Sequence, residues 1–186
     1  MVIVDRTSED RLSKRLGLQL DMKSNFRMRE FVKERVLDDV DRRLLRALQD
    51  DAGLSHVALA ELAGSSPASC WRRIRALEEA GILKGAVRLV DAERVGRGVN
   101  VMCQVRMRSH APADRTAFEA YLATRPDVME AHSMSGEWDY LLRIVAADVA
   151  GYERFLMRDL LNHSNVATAA SHFALSQVKY TTAVPL

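Results

Sequence analysis

The chain has 186 residues, of which 27 are Lys or Arg and 25 are Asp or Glu, so its formal net charge is only +2. Hydrophobic residues make up 48% of the sequence, which is enough to build a packed core, and the length suits two small domains. These values exclude a polycation that binds nucleic acid through its overall charge, and no apolar run approaches the length of a membrane span.

The only cysteines are Cys70 and Cys103, and Cys70 lies on the apolar face of a predicted helix. This pattern indicates a reducing compartment rather than a disulfide framework. The N-terminal sequence MVIVDRTSEDRL lacks the basic start and apolar core of a signal peptide. The five histidines show no metal-ligand spacing, and no phosphate-binding loop or GxSxG elbow occurs. We therefore expect a cytoplasmic protein with no cofactor, no metal and no membrane partner.

Residues 1–35 are polar and mixed in charge, and we interpret them as an N-terminal extension that is partly disordered or a misassigned start. Residues 36–85 then carry three helical patterns. The first, Leu37–Ala52, begins with acidic residues that favour the positive end of a helix dipole. Its apolar stripe consists of Leu37, Val40, Leu44, Leu45 and Leu48.

The stretch Ser55–Gly81 contains two short helical patterns separated by a tight break. Gly64 ends the first helix, and Ser66 followed by Pro67 provides an N-cap and a first helical residue for the second. The first helix is predicted to be mostly buried through Val57, Leu59, Ala60, Leu62 and Ala63. The second has one apolar face, formed by Cys70, Ile74 and Leu77.

Arginines occupy the other faces of this second helix, as a helix-turn-helix that enters a DNA major groove requires. Serine hydroxyls and the helix N-terminus can hold phosphate, and arginines can reach phosphate or guanine edges. The alternative is an arginine-rich face that is only solvated surface. Trp71, at the border between faces, is predicted to be buried against a neighbouring element. The predicted DNA contacts are Ser66, Ser69, Arg72, Arg73 and Arg75.

Ile82–Val90 alternates enough to predict a strand, with Gly85 as a bend, and a turn follows. We interpret residues 86–99 as a linker strand and turn. An unpaired strand at this point can pair with its copy from another chain.

Residues 100–186 predict an α+β domain in which a strand, a helix, two strands, a helix and a strand follow one another. This order is the ferredoxin-like βαββαβ sandwich. Two helices would cover one face of the sheet, and the open face favours association. The predicted elements are Val99–Met107, Arg115–Thr124, Val128–Met134, Tyr140–Ala146, Val149–Leu161 and Val166–Tyr180.

Three stretches occur in series: LDDVDRRLLRALQDDA, SPASCWRRIRALEEAGILKG and MSGEWDYLLRI. In this order and at these separations, the sequence resembles the Lrp/AsnC (feast/famine) family of prokaryotic transcription regulators. The resemblance implies a winged-type helix-turn-helix that binds double-stranded DNA, followed by an amino-acid-sensing domain. It also implies a homodimer that assembles into tetramers or octamers. CWRRIRALEEAGILKGAVRLVD and FALSQVKYTTAVP are most similar to the branch that senses cysteine and controls cysteine desulfidation.

In the family that the sequence resembles, the loop between the second and third strands helps to bind a small amino acid between dimers. A carboxylate, for which we choose Asp139, can pair with the ligand ammonium, and N–H groups at Gly136 can hold its carboxylate. An ordinary polar hairpin turn is the alternative. The predicted effector-binding residues are Met134, Ser135, Gly136, Glu137, Asp139 and Tyr140.

Three classes of function therefore compete. A ligand-responsive transcription regulator that is not an enzyme is favoured. An architectural DNA-binding protein without an effector is the second class. A small ferredoxin-like enzyme is the third, and only Glu137, Asp139 and nearby His132 offer it an acid or base.

Overall fold

The computed structural model describes residues 36–186, so the predicted extension at 1–35 lies outside the described residues. Three helices come first: α1 (Asp39–Asp50), α2 (His56–Ala63) and α3 (Pro67–Glu79). No helix within the described range combines the length and apolarity that crossing a bilayer requires.

Helix α1 begins at an acidic cap, as its sequence predicts. The Asp41 N–H donates to Asp38 Oδ1 at 2.8 Å, which satisfies one of the unpaired donors of the first turn. Leu44 and Leu45 are buried along the predicted stripe. Asp41 is also buried, with 2% of its surface exposed. A buried carboxylate is costly unless it is paired, and Arg73 is its partner.

Helix α2 is capped at both ends, and it ends at Gly64 as the sequence predicts. The Ala58 N–H donates to Ser55 Oγ at 3.2 Å, and Gly64 has φ +63°, a left-handed conformation that favours glycine. Its buried face consists of Leu59, Ala60 and Ala63. The prediction that Val57 and Leu62 are buried is wrong, because both are more than half exposed.

Residues 82–90 form no strand in the structure, so the predicted strand Ile82–Val90 is wrong. The first two of these residues complete the end of α3, because the N–H groups of Ile82 and Leu83 both donate to the Leu77 carbonyl. The rest has no neighbouring strand within residues 36–186, and a strand requires a hydrogen-bonded partner. Exposed apolar side chains remain along it, at Val87, Leu89 and Val90.

The second half of the described chain is a four-stranded antiparallel sheet in the order β2-β3-β1-β4. This order and the helices confirm the predicted ferredoxin-like βαββαβ fold. The elements are β1 (Val99–Met107), α4 (Pro112–Ala123), β2 (Val128–Ser133), β3 (Tyr140–Ala146), α5 (Val149–Arg154), a π-helical continuation (Phe155–Leu160) and β4 (Val166–Phe173).

The core of this half lies between the sheet and its helices. Strands β1 and β3 alternate between buried and half-buried residues, as a strand with one covered face does. Phe118 of α4 and Leu160 of the π-helix are fully buried against the covered face. The opposite face, which we call the open face, carries Met102, Gln104, Arg106, Leu141, Arg143 and Val145.

Two predicted boundaries in this half are wrong by three residues or more. Helix α4 begins at Pro112, three residues before the predicted Arg115, because proline suits the first turn of a helix. The last strand ends at Phe173 and not at Tyr180. Its partner β1 begins at Val99, and the Ala174 N–H makes the last bond, to the Asn100 carbonyl.

The chain after Phe173 is irregular and returns to the helical half. The side-chain amide of Gln49 donates to the Val184 carbonyl at 3.1 Å, and its Oε1 accepts from the Val184 N–H at 2.6 Å. Arg46 also donates to the Leu186 carbonyl. The tail after β4 is therefore held on α1 through the N–H and the carbonyl of Val184.

Candidate functional site

Helix α3 is held in place by its cap and by its apolar face. The Ser69 N–H donates to Ser66 Oγ at 3.2 Å, and Pro67 fills the first turn. Cys70 and Leu77 are buried, so the predicted apolar face packs inward. A hydrogen bond joins α1 to the turn before α3: Arg43 Nε donates to the Ala63 carbonyl at 2.9 Å.

The exposed face of α3 carries a stripe at helical spacing, formed by Ala68, Trp71, Arg72 and Arg75. The prediction that Trp71 is buried is wrong within this chain, because 54% of its surface is exposed. The guanidinium carbon of Arg75 lies 5.8 Å from the centre of the Trp71 ring, at cation–π distance.

Arg73 faces α1 and not the exposed stripe. Its Nη1 lies 2.7 Å from Asp38 Oδ2 and 2.8 Å from Asp41 Oδ1. Hydrogen bonds to these carboxylates raise the pKa of Arg73. The Asp41 N–H and then Arg73 lower the pKa of Asp38. Arg73 therefore ties α3 to the start of α1.

The five predicted DNA contacts thus divide into two groups. Arg72 and Arg75 lie on the exposed face of α3. Ser69 is half-buried, the Ser66 hydroxyl caps the helix, and Arg73 is paired with α1.

The second candidate site is the loop between β2 and β3, residues 134–139, which we call the effector loop. Its ends are closed by a bond of 2.8 Å from the Met134 N–H to the Asp139 carbonyl. Gly136 has φ +114°, a conformation that side chains rarely adopt. Met134, Ser135, Gly136 and Glu137 are exposed, so the tip of the loop is open to solvent.

Asp139 anchors the end of the effector loop to the strand beside it. Its Oδ2 accepts a hydrogen bond of 2.7 Å from the Met107 N–H, while Oδ1 lies 3.4 Å from His110 Nδ1. The carboxylate is 23% exposed. One oxygen is therefore committed to the backbone and the other faces His110.

Glu137 pairs with an arginine of the open face. Its Oε1 lies 2.6 Å from Arg106 Nη2, and the Arg106 guanidinium carbon lies 5.2 Å from the centre of the Trp138 ring. Arg106 is not among the predicted effector-binding residues. Alternation along β1 could have indicated it, because Arg106 lies on the opposite face from the buried residues of that strand.

Tyr140 lies on the covered face and contacts the core. Its hydroxyl donates to Glu119 Oε1 at 2.8 Å, and its ring meets Phe118 edge-on, with centres 5.1 Å apart. Burial, followed by the Glu119 carboxylate, raises the pKa of Tyr140 to about 12. The nearby Arg115 donates to Ser133 Oγ at 3.0 Å and links α4 to the end of β2.

Two family models match the chain, one over each half. A model described as "Winged helix-turn-helix DNA-binding" matches residues 37–84, and one described as "Lrp/AsnC ligand binding domain" matches residues 100–184.

The chain is 36% identical over 151 residues to the DNA-binding transcriptional activator DecR of Escherichia coli K12, covering 81% of this chain and 99% of that protein. It is 39% identical over 143 residues to the leucine-responsive regulatory protein of Rhizobium meliloti, covering 77% and 92%. A solved regulator of Neisseria meningitidis in complex with L-Met matches with a TM-score of 0.77 at 35% identity, covering 81% of this chain and 97% of that one.

These relatives are transcriptional regulators, so the enzyme alternative does not hold for this protein. The three helices of the first half and the βαββαβ fold of the second agree with the two matched models. The chain is a DNA-binding transcriptional regulator, and it belongs to the Lrp/AsnC family.

Proposed function

We propose that the protein changes its occupancy of promoter DNA when a small amino acid binds at the effector loop, and that it acts in the cytoplasm. The observation that carries this proposal is the pairing of opposite charges there: Glu137 Oε1 lies 2.6 Å from Arg106 Nη2, with Asp139 two residues further on. An α-amino acid carries both charges. Its ammonium can pair with a carboxylate, and its carboxylate with a guanidinium or backbone N–H groups.

Asp139 supplies the ammonium contact in this proposal through Oδ1, because Oδ2 already accepts from Met107. Glu137 and Arg106 separate to receive the ligand, and the backbone of Met134, Ser135 and Gly136 lines it. Tyr140 acts indirectly, since its hydroxyl is bonded to Glu119 on the covered face.

Cysteine is the effector that we propose first, because the α3 and C-terminal sequences resemble the cysteine-responsive branch. The Neisseria meningitidis relative is described in complex with L-Met, which is also a sulfur-containing amino acid. Cysteine and methionine are therefore the first ligands to test.

DNA contacts are proposed for the exposed face of α3. Arg72 and Arg75 reach phosphate or guanine edges, and Ser66 and Ser69 present the helix N-terminus to a phosphate. Arg73 contributes by holding α3 in place, because its guanidinium is paired with Asp38 and Asp41.

A homodimer that assembles into tetramers or octamers completes the proposal. The open face presents half-buried apolar side chains, among them Met102, Leu141 and Val145, which a second sheet would cover. A dimer presents two recognition helices to two half-sites, and a chain with net charge +2 needs several copies for sufficient phosphate contacts. A ligand bound between dimers shifts their arrangement only if its affinity differs between the two arrangements.

The test is a gel shift on the DNA upstream of the protein's own gene, with each amino acid added in turn. We expect cysteine or methionine to change the fraction of DNA bound. If no amino acid changes it, the architectural alternative is correct and the effector proposal fails.

Asp139→Asn tests the ligand contact with the fold preserved, because the amide oxygen can still accept from the Met107 N–H. We expect calorimetric binding of the amino acid to weaken about tenfold or more, as loss of a charge-assisted bond implies. Asp159→Asn removes the same charge from a carboxylate paired with Arg125, away from the loop, and is the matched control. Equal affinity in wild type and Asp139→Asn would show that Asp139 does not bind the ammonium.

A further inference from the structure

An aromatic side chain occupies the centre of the exposed face of α3. Trp71 is 54% exposed, and Ala68 lies one turn before it on the same face. Tryptophan is usually largely buried, so an exposed indole on a helix that is otherwise well packed needs a physical explanation.

The surroundings of Trp71 favour a partner with both anionic and apolar groups. Arg72 and Arg75 flank the indole, and the Arg75 guanidinium lies over its ring. A purely apolar protein surface would have to desolvate both arginines. A DNA major groove instead offers phosphates at its edges and the C5-methyl groups of thymine at its floor.

The Trp71 ring has a cation beside it within the chain. Arg75 lies 5.8 Å from the ring centre and 3.9 Å from Glu79 Oε1, so the indole has a charged neighbour on one side.

We propose that Trp71 reads thymine methyl groups in the major groove and thereby sets part of the sequence preference, while Arg72 and Arg75 contact phosphate or guanine. This inference rests on the proposed use of α3 as the recognition helix. Part of the base preference then comes from an apolar contact of Trp71, in addition to any contacts that the arginines make through their charge.

The experiment replaces thymine by uracil, which removes only the methyl group. The wild-type protein first selects a tight site from a random DNA pool, and each thymine of that site is then replaced in turn. Dissociation constants are measured by fluorescence anisotropy for wild type, Trp71→Ala and Trp71→Phe. Met157→Ala, which truncates an exposed apolar residue outside the helical half, is the control.

We expect uracil at one or two positions to weaken wild-type binding about fourfold, the value of one buried methyl group. The same replacement should change binding by Trp71→Ala less than about twofold, because the two changes remove one contact. Trp71→Phe should retain part of the effect, and Met157→Ala all of it.

The inference is overturned if no thymine responds in wild type, or if Trp71→Ala responds as strongly as wild type. If Trp71→Ala binds no DNA, the uracil effect in Trp71→Phe decides: an effect equal to that of wild type counts against the contact, and a reduced one supports it. If the wild type selects no DNA at low salt, the use of α3 fails first, and this outcome is distinct from the others.

Discussion

Arg73 couples α3 to the start of α1 through two carboxylates, one exposed and one buried. The Asp41 carboxylate has 3% of its side-chain surface exposed, so its charge is poorly solvated and benefits from a nearby guanidinium. Arg75, by contrast, meets Glu79 at 3.9 Å on the surface, where ion pairs contribute little.

Arg73→Ala should therefore lower the free energy of unfolding by about 1–3 kcal/mol, less than for a fully buried pair because Arg73 is partly exposed. Arg75→Ala is the matched control, and it should change stability by less than about 0.5 kcal/mol. Urea unfolding followed by circular dichroism measures both. Equal stability losses would mean that Arg73 has no special role in the packing of α3.

Tyr140 makes stability sensitive to alkaline pH. Burial and Glu119 raise its pKa to about 12, above the ordinary value of about 10. As pH rises between these values, the unfolded chain loses the proton first, so unfolding becomes more favourable. This contribution to stability is complete below pH 10 and is lost towards pH 12.

Tyr140→Phe should flatten the alkaline loss of stability, because the variant has no hydroxyl to ionise at this position. Unfolding free energies measured by urea titration at about pH 9 and about pH 11 should differ less in the variant than in wild type. Tyr180→Phe changes an exposed tyrosine and should leave the wild-type difference unchanged. An equal loss of stability between the two pH values in Tyr140→Phe and Tyr180→Phe would show that ionisation of Tyr140 does not cause the loss.

Helical spacing predicts which residues of α3 share a face, and it identified Cys70 and Leu77 as buried. It does not decide the partners of residues near the border between faces. Helical spacing places Arg73 off the apolar face, and it does not show that α1 supplies two carboxylates to its guanidinium. Trp71 was predicted to be buried, but no described element covers it. These outcomes depend on non-local packing, which the periodicity of a single helix does not contain.

At the scale of elements, features with a local signal were predictable: β1 and β3 occupy the residues that their alternation predicts, and the α3 cap lies where its sequence places it. The caps at Ser55 and Ser66 act on donors three residues away, and the sequence predicts the one at Ser66. The predicted strand Ile82–Val90 and the end of Val166–Tyr180 depend on a partner strand elsewhere. Within residues 36–186 no strand lies beside Ile82–Val90 or beside the chain after Phe173, so neither stretch forms a strand despite its alternating sequence.

The cap of α3 gives a prediction at this scale. Ser66→Ala removes the acceptor for the Ser69 N–H and should destabilise the protein by about 1 kcal/mol. Ser66→Asp retains an acceptor and should keep most of the stability, which thermal unfolding measures. If Ser66→Ala is as stable as wild type, the hydroxyl does not contribute to the cap and is available for other contacts.

The effector loop was located from its sequence, but its contacts were not. The resemblance gave the residues from Met134 to Tyr140, whereas the pairs Glu137–Arg106 and Asp139–Met107 join the loop to β1, about 30 residues earlier in the chain. Register between strands decides these pairs. Tyr140 illustrates the same point, because a shift of one residue along a strand moves a side chain to the opposite face.

At the scale of the whole molecule, one chain leaves surfaces that a second copy would cover. The open face has Leu141 near its centre, opposite Gln104 on one side and His132 on the other. Residues 84–90 add an irregular segment with exposed valines and a leucine. With a net charge of +2, a single copy has little long-range attraction for DNA, so assembly and DNA affinity should change together.

Leu141→Glu introduces a charge at the centre of the open face and should convert the assembly to smaller species, because an unpaired buried charge is costly at an interface. Light scattering after size-exclusion chromatography measures the mass. Met157→Glu makes the same change at an exposed position on the π-helix and should leave the mass unchanged.

The slope of DNA affinity against salt should fall by about half when a dimer becomes a monomer, because half as many phosphates are neutralised. An unchanged mass in Leu141→Glu would contradict assembly through the open face, and an unchanged slope in a monomeric variant would mean that one recognition helix is sufficient.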